Sequence, residues 1–279
     1  MALVRNGVFA SNRRVPDWIA VVILGIIEGV TEFLPVSSTG HLLIAEHWLP
    51  NQSAFVRSDL FTVIIQPGAV VAVLALFWRR VLGLLQTWRT PSSRDYLLKL
   101  GVAFGLTGAG GLALKKLGFE LPETLMPVLL ATVLGGVLFI GVERWLRGAT
   151  PGTEVTWAIA LVMAVGQLLA MVFPGASRSG TTILLALALG LARPQATEFS
   201  FLLGIPTLIA AGAKETFDAL RDPPPFPIDW ALVGLGMLVS AVTAFIAVRW
   251  LLRFVQSHTF EGFGWYRIAL GVLILLLVH

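Results

Sequence analysis

Three stretches of this chain, residues 60–78, 124–142 and 230–248, contain no Asp, Glu, Lys or Arg. Each has the length of a helix that crosses a bilayer, roughly 17–25 apolar residues. Residues 100–114, 199–213 and 268–279 are shorter. They lengthen through tolerable flanks such as Tyr96–Leu98 and Phe263–Tyr266, giving about six spans. Of the 279 residues, 56% are hydrophobic and 13% are charged. The charged share is about half the ~25% of a soluble domain. No water-soluble core could hide that much apolar surface, which excludes an ordinary cytosolic enzyme and a disordered chain. The absence of cysteine excludes a disulfide-stapled module. The expectation is an all-α polytopic membrane protein forming one integral membrane domain over 1–279, with short linkers and no separate soluble domain.

Two regions break the pattern of simple spans. Residues 18–48 are interrupted by Glu28, Glu32, Pro35 and the cluster Ser37-Ser38-Thr39-Gly40-His41. Residues 155–192 are interrupted by Pro174-Gly175-Ala176-Ser177-Arg178-Ser179-Gly180. Broken helices at membrane depth are tolerated where they are buried in protein or line a wet cavity. Both regions therefore read as re-entrant helix–turn–helix hairpins. Residues 1–16 read as an interfacial segment rather than a cleaved leader, because Arg13, Arg14, Pro16 and Asp17 follow a weak apolar start.

The two hairpins align with each other. The offset that lays Pro35 on Pro174 also lays Trp18 on Trp157, Ser38 on Ser177 and Pro67 on Pro206. Each hairpin is followed by three spans, so the second copy starts from the opposite side of the membrane. The expectation is an inverted-topology repeat, 17–147 and 155–279, whose tips meet near the midplane. Orientation follows from basic residues. Arg79, Arg80, Arg89, Arg94, Lys99, Arg144, Arg147, Arg249 and Arg253 fall on the face opposite the N-terminus. Arg5, Arg13, Arg14, Arg57, Lys115, Lys116, Lys214 and Arg221 fall on the other. The positive-inside rule then places the N-terminus outside by a small margin. The net charge of +4 suits anionic lipid headgroups, and with no dense basic run it does not suggest nucleic acid.

An ion at a helix centre costs roughly 2.5–3.5 kcal/mol on insertion scales, so Glu28, Glu32 and Arg178 need partners. Glu28 and Glu32 are four apart and share a helical face. They suit acid–base work, a divalent cation such as Mg²⁺ or Ca²⁺, or an ion pair with Arg178. Proline suits the first turn of a helix, and a helix starting near Pro35 would present free N–H groups, a ready phosphate site. Ser38 and His41 lie on one face of that helix, a hydroxyl nucleophile beside a base. At the second tip Arg178 offers a planar fork that matches phosphate. Ser177, Ser179, Thr181 and Thr182 add hydroxyls there, and Gly175 and Gly180 allow close backbone approach. By the aligned register, Glu28 and Glu32 face Gln167 and Met171, and Thr39 faces Arg178. The copies are therefore unequal: one tip holds acids, nucleophile and base, the other the cation. Together they read as one phosphoryl-transfer site.

The run Glu28-Gly29-Val30-Thr31-Glu32-Phe33-Leu34-Pro35-Val36-Ser37-Ser38-Thr39-Gly40-His41-Leu42 and the run Pro174 to Thr181 resemble those of the undecaprenyl-pyrophosphate phosphatase family, the BacA-type bacitracin-resistance proteins. Asp59 to Pro67, containing Gln66, resembles that family's first full span, with Pro67 in place of the usual Leu. The resemblance covers nearly the whole chain. It implies removal of the terminal phosphate of C55 isoprenyl pyrophosphate to give the monophosphate carrier of cell-wall synthesis. It implies a plasma-membrane protein whose site opens to the outer face. Ser38, His41, Arg178, Glu28 and Glu32 would then carry the chemistry. Ser37, Thr39, Gly40, Ser177, Ser179, Gly180, Thr181, Thr182 and Gln66 would bind substrate, and Glu28 and Glu32 would hold the cation. A lipid-phosphate flippase or transporter is the alternative, since inverted repeats with broken helices also serve transport. A homodimer through the GxxxG pairs Gly25–Gly29 and Gly101–Gly105 is left open.

Overall fold

In a computed structural model, residues 15–49, 52–119 and 125–278 are described, apart from the side chains of Glu46 and Val278. Most of the segment read as interfacial, 1–14, lies outside these residues. The described residues form ten helices: α1 (Asp17–Thr31), α2 (Ser38–Trp48), α3 (Asp59–Gln86), α4 (Pro91–Lys116), α5 (Leu125–Trp145), α6 (Trp157–Val172), α7 (Arg178–Ala188), α8 (Arg193–Arg221), α9 (Trp230–Phe254) and α10 (Glu261–Val278). Five of them, α3, α4, α5, α8 and α9, are long and apolar enough to cross a membrane. The sixth expected segment, 268–279, has its described part, 268–278, in α10, which lies outside that set. α10 is 18 residues long and carries Glu261 in its first turn and Arg267 in its body.

The hairpin helices are short for a physical reason. α1 has 15 residues and α2 has 11. At 1.5 Å per residue these reach about 22 and 16 Å, less than the ~30 Å hydrocarbon core. Proline disfavours helical backbone in the residue before it. Pro35 follows Glu32 by three residues and ends α1; Pro174 forces Phe173 into an extended conformation and ends α6. The chain then turns. In the first tip Val36 N donates to Leu34 O at 2.8 Å; in the second Ala176 N donates to Phe173 O at 3.0 Å. Ser37 and Ser177 cap the returning helices α2 and α7, each Oγ accepting from the N–H of Gly40 or Gly180. This shared cap pairs Ser37 with Ser177, one residue later than the sequence alignment. Gly175 is the inserted residue. It has φ +92°, and a Cβ there would run into Val128 O of α5.

The long helices take equally local starts. Ser58, Thr90, Thr156 and Asp229 cap α3, α4, α6 and α9 through their side-chain oxygens. α1 and α3 pack on α9, and α6 and α8 pack on α4; α5 packs on α10, and α3 on α8. α9 approaches α1 and α3 at glycines. A Cβ on Gly29 would overlap Thr243 and Ser240, and one on Gly68 would overlap Met237. Gly25 lies against Gly236 and Val239 of α9, so the Gly25–Gly29 pair serves packing within the chain. The apolar core runs from Phe33 and Leu34 at the first tip through α3, α6, α7 and α8.

Candidate active site

The two tips meet. Ser179 of α7 donates its hydroxyl to Leu34 O at 3.0 Å, across 145 residues of chain. At that junction Glu32, which follows the last residue of α1, touches both halves. Its Oε2 accepts from Ser38 Oγ at 3.1 Å, and its Oε1 lies 3.4 Å from Arg178 Nη2. Glu32 is 8% exposed and Glu28 is fully buried. Glu28 interacts with the charges of Glu32 and Arg178 and lies within hydrogen-bonding reach of the Glu32 carboxyl, so the two can share a proton; no N–H or O–H group among the described residues donates to its oxygens. A buried carboxylate left so is costly unless a proton or a cation neutralises it.

Arg178 is held by several weak contacts rather than one strong pair. Its guanidinium lies 5.1 Å from the Phe33 ring centre, and Nη1 is 3.5 Å from Ser200 O. Its buried Nε has no partner. Gly204 makes room for it: a Cβ at that position would overlap the guanidinium. Phe33 is itself fixed edge-on by Phe201 at 5.2 Å. A donor fork partly unpaired beside a hydroxyl nucleophile can receive phosphate oxygens.

His41 stands one turn along from Ser38 but is not hydrogen-bonded to it. Its Nδ1 lies 2.7 Å from Ser37 O and its Nε2 lies 2.6 Å from Tyr266 Oη. The serine proton therefore has Glu32 as its acceptor in this arrangement, where the sequence pointed to His41. Ser37 and Ser177 are N-caps; Ser177 Oγ is also 3.2 Å from Ser179 Oγ. Gly40 and Gly180 supply the capped N–H groups. Thr181 donates to Ser177 O at 2.9 Å. Thr182 donates to Arg178 O at 2.9 Å and shares a 2.6 Å bond with Ser200 Oγ. Both threonines thus brace α7. Among the described residues, Thr39 and Gln66 make no side-chain hydrogen bond, and Gln66 is half-buried on α3. Gln167, facing Glu28 in the aligned register, donates to Thr107 Oγ1 at 2.9 Å, a packing role between α6 and α4.

Arg267 was not singled out by the sequence reading. It is fully buried and donates to five carbonyls: Pro35, Gly175, Ala176, Ala131 and Thr132, at 3.0–3.3 Å. One side chain thus ties both tips to α5. The rule applied to Glu28, Glu32 and Arg178 would have found it, since it too is a charge inside an apolar segment. Tyr266, read as a span flank, was also passed over.

The carboxylates fit a hard divalent cation. Such an ion often takes one or two carboxylates and completes its shell with water and substrate phosphates. Glu28, whose two buried oxygens accept from no N–H or O–H group among the described residues, and the neighbouring Glu32 offer that pair. No group of three or more His, Cys, Asp or Glu able to hold a metal occurs among the described residues.

Comparison with known proteins places the chain in a family. The family model "Bacitracin resistance protein BacA" matches residues 21–273. The chain is 50% identical over 260 residues to the undecaprenyl-diphosphatase of Rhizobium johnstonii, covering 93% of this chain and 96% of that one. It is 43% identical over 255 residues to the undecaprenyl-diphosphatase of Xylella fastidiosa, covering 91% and 96%. It is 41% identical over 261 residues to that of Xanthomonas axonopodis pv. citri, covering 93% and 97%. With five apolar helices able to span a bilayer and a family match over nearly its whole length, this multi-pass membrane protein belongs to the BacA bacitracin-resistance family.

Proposed function

We propose that this chain is a membrane enzyme that hydrolyses undecaprenyl pyrophosphate to undecaprenyl phosphate and inorganic phosphate, at the junction of its two hairpin tips. The relatives named undecaprenyl-diphosphatase support the reaction and the substrate. The observation that carries the site is Glu32, bonded at once to Ser38 of its own tip and to Arg178 of the other. In the bacterium the product is the lipid carrier of cell-wall synthesis, and its recycling confers bacitracin resistance.

The steps follow from the hydrogen bonds. Ser38 Oγ attacks the terminal phosphorus and its proton passes to Glu32. The Ser38 O–P bond forms, the bridging P–O bond breaks, and the lipid phosphate leaves as an anion. Arg178 binds the charged oxygens as they develop. Water then attacks the phosphoserine. It gives one proton to His41 Nε2, Ser38 regains its proton from Glu32, and phosphate departs. A divalent cation held by Glu28 and Glu32 would neutralise pyrophosphate charge when bound. The phosphates enter from the outer face and the lipid tail lies between spans.

We assign the two halves, 17–147 and 155–279, to an inverted repeat with the N-terminus outside. The reciprocal packing of α1 on α9 and α6 on α4 supports it. The same architecture suits a lipid-phosphate transporter, and one assay separates the two readings. Purified protein in detergent, where no gradient exists, is expected to release phosphate from undecaprenyl pyrophosphate with turnover. Binding without release would leave only transport.

A further inference from the structure

The hydrogen bonds of His41 fix more than its position. Ser37 O can only accept, so Nδ1, 2.7 Å away, must carry a proton and donate it. In the neutral imidazole Nε2 then holds the lone pair, and the Tyr266 hydroxyl, 2.6 Å away, donates to it. The two rings also stack, with centres 5.6 Å apart and planes 11° apart. Tyr266 is 47% exposed, so the phenol is not a core side chain that happens to touch the histidine. Its place on α10 is set by its neighbour. Arg267 ties α10 to Pro35 O of the first tip, two residues before Ser37. Successive residues of one helix thus reach the tip backbone and the imidazole at its edge.

From these contacts we propose that Tyr266 is a positioning residue for His41: Ser37 O fixes the Nδ1–H tautomer, and the Tyr266 hydroxyl donates to Nε2 from the other side of the ring, holding the imidazole in place with Nε2 as the basic nitrogen. Among the described residues, no member of either tip motif bonds Nε2. The proposal rests on the reading of His41 as the base for the hydrolytic water. In the second half, Tyr266 releases Nε2 to the water and takes the bond back when His41 loses its proton.

Tyr266→Phe is the test, because it keeps the ring and the stack and removes only the hydroxyl. Phosphate release from undecaprenyl pyrophosphate in detergent is expected to show kcat lowered by about ten- to a hundredfold, with KM within about twofold, a part of the usual 10²–10⁴-fold worth of a general base. A purely packing role would leave kcat alone. The chain has four histidines, so nitrogen NMR of histidine-labelled protein, assigned by a His41→Gln control, reads the tautomer directly. A shift of the His41 Nε2 signal is expected in Tyr266→Phe, with Nδ1 still protonated on Ser37 O. Adding Tyr266→Phe to His41→Gln is expected to lower the residual rate no further. A wild-type rate with an unchanged nitrogen spectrum in Tyr266→Phe would overturn the proposal, as would an equal fractional loss in the His41→Gln background. A wild-type rate from His41→Gln would remove the base reading itself. The nitrogen spectrum of Tyr266→Phe would then still decide whether Tyr266 bonds Nε2.

Discussion

Ser37 and Ser177 sit at φ 73° and 66°, in the region that side chains with a Cβ rarely adopt. Such a conformation costs of order 1–3 kcal/mol and persists only where the surroundings over-determine it. Here the surroundings are the caps on Gly40 and Gly180 and the Arg267 bonds to Pro35 and Ala176. The residue after each serine is Ser38 or Arg178, and both reach Glu32. Ser38→Ala removes the hydroxyl on Glu32 and is expected to cut phosphate release by orders of magnitude with little change in thermal stability. Removing Arg178 altogether leaves Glu32 buried without its partner, a loss of about 3–5 kcal/mol. Arg178→Lys keeps the charge but not the fork. It is expected to fold and to lose most activity. Gly204→Ala tests the same site from behind: the new methyl displaces the guanidinium. Folding is expected to survive while kcat falls at least tenfold, measured by the same release assay.

At the scale of helices, α10 is the element that holds the site together without contributing to either motif. Arg267→Met would strip donors from five carbonyls, and a buried unpaired polar group costs about 1–3 kcal/mol. A large drop in the melting temperature of the detergent-solubilised protein is expected. Arg267→Lys, with at most three donors, is expected to recover part of it. The hairpins were legible because helix-ending prolines and hydroxyl clusters stand out inside apolar sequence. Glu28, Glu32, Ser38 and Arg178 were legible because charge and nucleophile are costly there. The partner of each was not. The Ser38–His41 spacing suggested a direct pair, whereas the fold turns Ser38 to Glu32 and brings Tyr266, 225 residues along the chain, to His41. The one-residue register shift at the tips was hidden too, since Gly175 is identifiable as the insertion only once both serine caps are seen.

Across the whole molecule, two short hairpins are held between longer helices that are themselves apolar outward. Leu130, Leu134, Leu238, Val242 and Ile246 are among the exposed side chains of α5 and α9, as a lipid-facing surface requires. Buried polar atoms are gathered inside, among them the Glu28 carboxylate, which no N–H or O–H group of the described residues reaches. If Glu28 and Glu32 share a divalent cation with substrate, chelation with EDTA is expected to abolish phosphate release, and added Mg²⁺ or Ca²⁺ to restore it. Full activity in chelator would end that role for the carboxylates. The central claim is that two tips far apart in sequence act on one phosphorus. Its most direct test is an acid quench of enzyme mixed with undecaprenyl pyrophosphate labelled on the terminal phosphate, followed by peptide mapping. Label on the Ser38 peptide of the wild type, and its loss in Arg178→Lys although Ser38 is intact, is the result expected. Labelling of Arg178→Lys at the wild-type rate, or phosphate release by Ser38→Ala at the wild-type rate, would contradict the account.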